Sequence, residues 1–299
     1  VLQYRESEDP NTPSDCTPET STAVKLLKEE KHVYAIVAPA IASQFAYAKL
    51  GQVVTGIKQL GFYEVVEAAL GADMVAYAEA KELAEKGFLT SSCCPAFVSY
   101  VHKQFPMLSE NVSHNMSPMA TIAKFIKGMD NEAKTIFIGP CTAKKGEAQL
   151  PGVREYVDCV MTFEELQAVL DSREIDLTTL EETDLNNASG FGRSFARCGG
   201  LAEAAVEALK EQGIDFAVKP VSCSGIEECR LALLKASKGR AEGNFIEGMA
   251  CIGGCINGAG CLTHGERNKN KIDAHSRLAK DKTIVESLHE AETGLEAAK

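Results

Sequence analysis

HVYAIVAPAI, residues 32–41, is the stretch from which the fold can be read. Its apolar run leaves no face for water, and three of the five residues Val33 to Val37 are β-branched. That is the pattern of a strand covered on both sides of a sheet, not the alternation of a half-exposed one. Such a strand needs helices on both faces, and the flanking sequence supplies them. Upstream, Thr17-Pro18-Glu19 reads as an N-cap, a first-turn proline and an acidic first turn, opening a helix that runs to about Glu30. Downstream, VVTGIKQLGF (53–62) is helical with a glycine stop, and DMVAYAEAKELAEK (73–86) is an alanine-rich amphipathic helix.

The alternation continues to the third motif described below. FLTSSCC (88–94), KTIFIGPC (134–141), FAVKPVSC (216–223) and NFIEGMAC (244–251) read as strands. ATIAKFIKGM (120–129), TFEELQAVLD (162–171), GLAEAAVEALKEQG (200–213) and GIEECRLALLKASKG (225–239) read as helices. Strands alternating with helices of this length predict an α/β fold with largely parallel sheets. Residues 1–16 are polar and read as a loose arm. After His264 the chain turns polar and ends in a helix-like tail.

The 299 residues carry 31 basic and 42 acidic side chains, a net charge of -11. That balance argues against nucleic acid or an anionic membrane as the main partner. No apolar run approaches the roughly 20 residues that span a bilayer, and no signal-peptide pattern opens the chain, so a cytoplasmic location is expected. Eleven cysteines are many for such a protein. The core is large enough to fold without disulfide staples, so metal or redox chemistry is the expected use.

Among the predicted strands that end in cysteine, three do so within the motifs described here: at Cys93 and Cys94, at Cys141 and at Cys251. Ligands of α/β sheets bind outside the carboxyl ends of strands, so these distant thiols are expected to converge. In GPCTAKKGE, Lys144 and Glu147 follow Cys141 at steps of three, on one side of a helix if one begins there. In EGMACIGGCINGAG, Gly253 and Gly254 separate Cys251 from Cys255 and would let the backbone come close to a bulky inorganic group. A cubane needs four thiolates, which Cys94, Cys141, Cys251 and Cys255 would provide. A zinc site using Cys251, Cys255 and Cys261 is the competing reading, and Cys16, Cys159, Cys198, Cys223 and Cys229 read as packed thiols.

SSCCPAF, PCTAKKGE and EGMACIGGCINGAG resemble, in order, the three signature motifs of the catalytic domain of the iron-only (FeFe) hydrogenases. The likeness extends through APAIASQF, GADMV, NMSPM, GRSFARCGGLAEAA and SGIEECRLALLKASKGRAEGNFIE, and covers roughly residues 33–265. It implies two lobes, each a mostly parallel twisted sheet flanked by helices, with the metal cluster in the cleft between them. The expected division is an arm and short helix over 1–30, lobes over 31–133 and 134–265, and a tail over 266–299.

The resemblance also implies an H-cluster, a 4Fe-4S cubane joined through a cysteine sulfur to a diiron unit with CO, CN and azadithiolate ligands. Cys94, Cys141, Cys251 and Cys255 would hold the cubane, with Cys255 bridging. Lys144 would donate to one cyanide, Pro39 and Ala40 would lie beside the other, Ser117 would sit close by, and Met249 and Phe195 would enclose the diiron unit. Cys93 would stay unligated and carry a proton. Glu79 and Glu82 match the family's acidic relay, with Ser113 between its buried end and Cys93. A plain Glu82–Lys86 surface pair and a Lys144–Glu147 pair are the competing readings.

Dihydrogen and protons are the implied substrates. An electron-carrier protein or ferredoxin-like domains, and maturation proteins, are the implied partners. Gly139 where methionine is usual, Met119 for glutamine, Ala40 for serine, Phe97 for tryptophan, and Cys261-Leu262 for Gln-Pro resemble the slower, sensory branches. An iron–sulfur assembly relative with a cubane and no diiron unit is the alternative.

Overall fold

The computed structural model describes residues 17–297. The arm over 1–16, Cys16 included, lies outside the described residues.

The chain enters through α1 (Pro18–Glu29), capped by the Thr17 hydroxyl, which accepts from the Thr20 amide. It then builds β1 (Val33–Val37), α2 (Leu50–Gln59), β2 (Glu64–Glu67), α3 (Ala68–Lys86) and the short β3 (Leu89–Thr90). Two helices follow, α4 (Pro95–Gln104) and α5 (Pro118–Met129), then β4 (Lys134–Gly139), α6 (Ala143–Glu147) and β5 (Cys159–Thr162). The rest comprises α7 (Phe163–Ser172), α8 (Gly190–Ser194), α9 (Gly200–Glu211), β6 (Pro220–Ser224), α10 (Ile226–Ala236), β7 (Phe245–Met249), α11 (Arg267–Arg277) and α12 (Ile284–Ala297).

The strands form two sheets, in which every pairing is parallel. One has the order β2-β1-β4-β5 and the other β3-β7-β6. The predicted α/β class is therefore observed. The lobe boundary at residue 133 is not: each sheet takes strands from both sides of it. Parallel neighbours need long crossovers, and those joining the neighbours β1 and β4, and β3 and β7, pass through the other sheet. The tail expected over 266–299 is two helices that pack on the body, with Asn268, Ile272, Ile284 and Ser287 buried.

Strand β7 shows how the second sheet is covered. Phe245 joins the apolar cluster of α3 and α9, while Ile246 joins that of α4 and α10. Alternate residues face opposite sides of a strand, so Glu247 and Met249 share the face of Phe245. Helix α3 is longer than the predicted amphipathic segment and is not one-sided. Most of its alanines, with Leu70, Val75 and Leu83, are buried, as befits a helix lying between two packed layers. Two strands were missed in the sequence. β2 and β5 have four residues each, too short to show a period.

Candidate metal centre

The carboxyl ends of β1, β3, β4 and β7 meet at one cavity of about 660 Å3, including the space at its mouth. From β1 come Pro39 and Ala40, which begin a 3-10 turn. From β3 come Cys93 and Cys94, and from β4, Pro140 and Cys141. From β7 come Met249 and, beyond it, Cys255, while Phe195 follows α8. The convergence of distant cysteines read from the sequence is thus what the topology produces.

Cys94 is the residue before α4, and Pro95 takes the first helical position, where its fixed φ suits the turn and its missing N–H costs no bond. Gly253 and Gly254 have φ of +82° and +101°, a region that disfavours other residues. A Cβ on Gly254 would lie 2.7 Å from the Cys198 amide nitrogen, so the loop between Cys251 and Cys255 needs glycine for close backbone approach as well.

The four thiols Cys94, Cys141, Cys251 and Cys255 feel one another. Burial pushes Cys255 well above the ordinary thiol range, and the charges of Cys141, Cys94 and Cys251 push it further. Cys141 and Cys251 are raised by burial, with Cys94 contributing to both. Four clustered thiols are unstable as bare thiolates and suited to a group whose positive metal offsets their charge. Among the described residues no three His, Cys, Asp or Glu side chains are disposed to hold a single metal ion. The Cys261 thiol is otherwise engaged, donating to the carbonyl oxygens of Ile256 (3.4 Å) and Cys255 (3.6 Å). The donor set fits a cubane: Cys94, Cys141 and Cys255 line the apolar cavity, and Cys251, outside its lining, is near enough for its charge to act on Cys255.

Lys144 is buried on α6. Its ammonium donates to Glu147 at 2.6 Å and to the Cys93 carbonyl oxygen at 3.3 Å. Burial works against the charged form, but Glu147 and the nearby Cys141 and Cys93 outweigh it and hold the Lys144 pKa above its usual value. The Lys144–Glu147 pair read as a surface alternative exists, but inside the protein.

Cys93 is a fifth thiol, raised by burial and by the charges of Cys94 and Glu79. Glu79, on α3, is fully buried, and neither carboxylate oxygen has a hydrogen-bond partner. Burial raises its pKa to about 8, although Ser113 and the Ser92 amide lie near enough to ease it. Ser113 donates to Glu82 at 3.0 Å, and Glu82 also takes Asn115 at 2.9 Å and Lys86 at 2.8 Å. Glu79 acts on Cys93 through its charge, and Ser113 bonds Glu82 while easing the burial of Glu79. Ser113 lies between the two carboxylates, not between Glu79 and Cys93 as expected, because the loop carrying it packs beside β3. The surface pair of Glu82 with Lys86 is real as well.

Ser117 does not line the cavity. Its hydroxyl caps α5, accepting from the Ala120 amide, and its neighbours Pro118 and Met119 form the wall. Gly139 leaves no gap, since a Cβ there would meet the Phe137 ring at 2.5 Å and Phe137 itself lines the cavity. The sequence reading also missed Glu247, which is fully buried. It accepts from the Gly199 amide (2.9 Å) and the Ala202 amide (3.2 Å) at the start of α9, and from the Ser222 hydroxyl (2.9 Å) on β6. A lone charge inside the apolar strand FIEGM was the available signal. Cys159, Cys223 and Cys229 are packed thiols as read, and Cys198 is part-exposed.

Comparison with known proteins agrees with this geometry. The family model "Iron only hydrogenase large subunit, C-terminal domain" matches residues 31–259, and the chain belongs to that family. It is 29% identical to iron hydrogenase 1 of Clostridium pasteurianum over 82% of this chain and 52% of that protein. It is 24% identical to the cytosolic Fe-S cluster assembly factor NAR1 of Eremothecium gossypii over 77% of this chain and 66% of that protein. The chain thus spans about half the length of the Clostridium relative. The solved structure of a variant of [FeFe]-hydrogenase HydA1 from Chlamydomonas reinhardtii shares the fold at a TM-score of 0.75 and 21% identity, over 92% of this chain and 93% of that one. No helix among the described residues is long and apolar enough to cross a membrane.

Proposed function

We propose that the cavity holds a 4Fe-4S cubane on Cys94, Cys141, Cys251 and Cys255, joined through Cys255 to a diiron unit, and that the protein interconverts dihydrogen with protons and electrons. The cubane would supply one-electron transfer, and the diiron unit the place where dihydrogen is made or split. The observation that carries this reading is equipment a cubane alone does not need. Beyond the four ligands, the cavity wall holds the free thiol of Cys93 and the ammonium of Lys144, with the partnerless Glu79 behind Cys93.

Each of these groups has a definable task. Lys144, fixed by Glu147, presents N–H donors and positive charge to an anionic ligand such as cyanide. Cys93 keeps its proton on Sγ at neutral pH, because burial disfavours the thiolate. Glu79 holds a proton on its carboxyl at pH 7 and gives it up about one unit higher, the range in which a relay group works. Ser113 and Glu82 carry the proton on towards solvent. Pro39, Ala40, Phe195 and Met249 exclude water from the cavity.

Turnover is slow in this reading and suits hydrogen or redox sensing. Phe137, Met119 and Ala40 line a wall that changes the cluster's packing and hydrogen bonding without removing a ligand. The likeness to the assembly factor supports a second reading, in which the cubane is bound without the diiron unit. Infrared spectroscopy after loading with a synthetic diiron complex separates them. Carbon monoxide and cyanide bands that respond to dihydrogen are expected, and their absence from a chain with a full cubane would leave the assembly reading.

A further inference from the structure

Cys223 and Cys229 are the buried points of two lightly held elements. Strand β6 is an edge of its sheet and buries only Cys223 among its five residues. Helix α10 buries only Cys229 and Leu233 among its eleven. Both cysteines enter the apolar cluster that also takes Phe97 of α4 and Ile246 of β7. Their thiols come within hydrogen-bonding reach of each other, which lowers the Cys223 pKa below the ordinary thiol range and raises that of Cys229. The Cys229 sulfur also donates to the Met249 carbonyl oxygen at 3.6 Å, and the Cys223 sulfur to that of Val221 at 3.7 Å. Cys159 is buried too, but its sulfur meets the Glu19 carbonyl oxygen, at 3.2 Å, rather than a second thiol.

The turn from Cys223 to Cys229 holds the segment that leads from β7 to Cys255. The Gly225 amide donates to the Met249 carbonyl oxygen at 2.8 Å, beside the Cys229 sulfur. The Ser224 hydroxyl accepts from the Gly253 amide at 2.8 Å. Gly225, at φ +94°, leaves the room that Ile252 takes, since a Cβ there would lie 2.9 Å from that side chain. Met249 lines the cavity, and Cys251 follows two residues later. A bond between the two sulfurs would therefore fix the turn on which this segment rests.

We infer that Cys223 and Cys229 are a dithiol that a low-molecular-weight disulfide converts reversibly to a disulfide, fastening β6 to α10 beneath the third motif. Local opening of α10, held by two buried side chains, exposes the pair. The Cys223 thiolate attacks one sulfur of the reagent; an S–S bond forms to it, and the other half leaves as a thiolate. The Cys229 sulfur then attacks that of Cys223, and the second half leaves. The protons of the two cysteines end on the two departing thiols, and two electrons pass from the cysteines to the reagent. The Met249 carbonyl loses the Cys229 S–H donor and keeps the Gly225 amide.

The test uses the chain reconstituted with iron and sulfide. It is equilibrated without oxygen in glutathione and glutathione disulfide at graded ratios, then alkylated, digested with trypsin and weighed. Lys219 is followed by proline and is not cut, so cleavage after Lys210 and Arg230 leaves both cysteines in one peptide, residues 211–230, with the four proposed ligands outside it. As glutathione disulfide rises, that peptide should become unalkylated and two hydrogens lighter, and excess glutathione should reverse the change. Cys159 should stay reduced throughout. Cys229→Ser should instead trap a mixed disulfide of Cys223 with glutathione. Amide exchange over residues 224–236 should slow at least about tenfold on oxidation of the unmodified protein, and not in Cys229→Ser. Reduced thiols at every ratio overturn the inference, as do mixed disulfides on both cysteines with no bond between them. A disulfide that leaves amide exchange over α10 unaltered overturns it as well.

Discussion

Two buried glutamates associated with α3 have opposite surroundings. Glu67, just before the helix, is held by Arg193 in a two-pronged pair at 2.6 and 2.8 Å. Arg193 in turn donates to Asn186, to the Leu185 carbonyl and to the His275 carbonyl. Glu79, about three turns along, has no well-formed hydrogen bond, with only Ser113 and the Ser92 amide near enough to ease it. A buried polar group left unpaired costs about 1–3 kcal/mol. The fold carries that cost at the carboxylate whose charge reaches the free thiol, and avoids it where α3, α8 and α11 are tied together. Of these two carboxylates, the satisfied one ties helices together and the unsatisfied one is the group proposed as a proton relay.

The largest effect should separate the two glutamates by function. In protein loaded with a synthetic diiron complex, Glu79→Gln should lower hydrogen turnover on the order of a hundredfold or more, with iron content unchanged and melting temperature at pH 7 not lowered. Unaltered turnover would remove Glu79 from the relay and point to another exit. Arg193→Met should do the reverse. It leaves Glu67 buried without its partner and should cost about 3–5 kcal/mol in denaturant unfolding. Normal stability in that variant would mean that the pair is not what holds these helices.

The pH dependence of stability sharpens the contrast. The folded Glu79 pKa, about 8, lies above the ordinary 4.5. The folded state therefore binds this proton more tightly, and its contribution is complete below pH 4.5 and lost as pH rises to 8. Relative to Glu79→Gln, the unmodified protein should lose a few kcal/mol across that window, since each tenfold gain in proton affinity is worth about 1.4 kcal/mol. Parallel curves for the two proteins would show that Glu79 is ionised at no great cost.

Smaller effects probe the cavity wall and the relay's outer end. Gly139→Met drives a side chain into the Phe137 ring and should cost about 1–3 kcal/mol in thermal unfolding, largely recovered by adding Phe137→Ala. Lys86→Met removes a part-exposed pair and should change stability by less than about 1 kcal/mol. It should nevertheless raise the Glu82 pKa, which burial pushes up and Lys86 pulls below the usual range. A displaced acid limb in the turnover profile would check it.

The sequence by itself determined the kind of fold and most of the site. An apolar β-branched run such as Val33–Val37 can be stable only when covered on both faces, and that requirement is local. Cysteines at strand ends, glycines between Cys251 and Cys255, and Lys144 three residues before Glu147 are likewise local patterns with local reasons. Only the tertiary structure decided which strands share a sheet, since parallel pairing is set by crossovers and not by any strand's own residues. It decided that the sheets interleave across residue 133, that Phe137 fills the space beside Gly139, and that Ser117 caps a helix rather than lining the cavity. It also decided the surroundings of the two acids on α3. Glu79 and Glu82 differ by one turn of the same helix, and nothing in their spacing says that one is sealed behind Cys93 while the other meets Ser113, Asn115 and Lys86. Burial and partner choice come from residues far away in the chain, and they are what leave Glu79 sealed without a partner while Arg193 clamps Glu67.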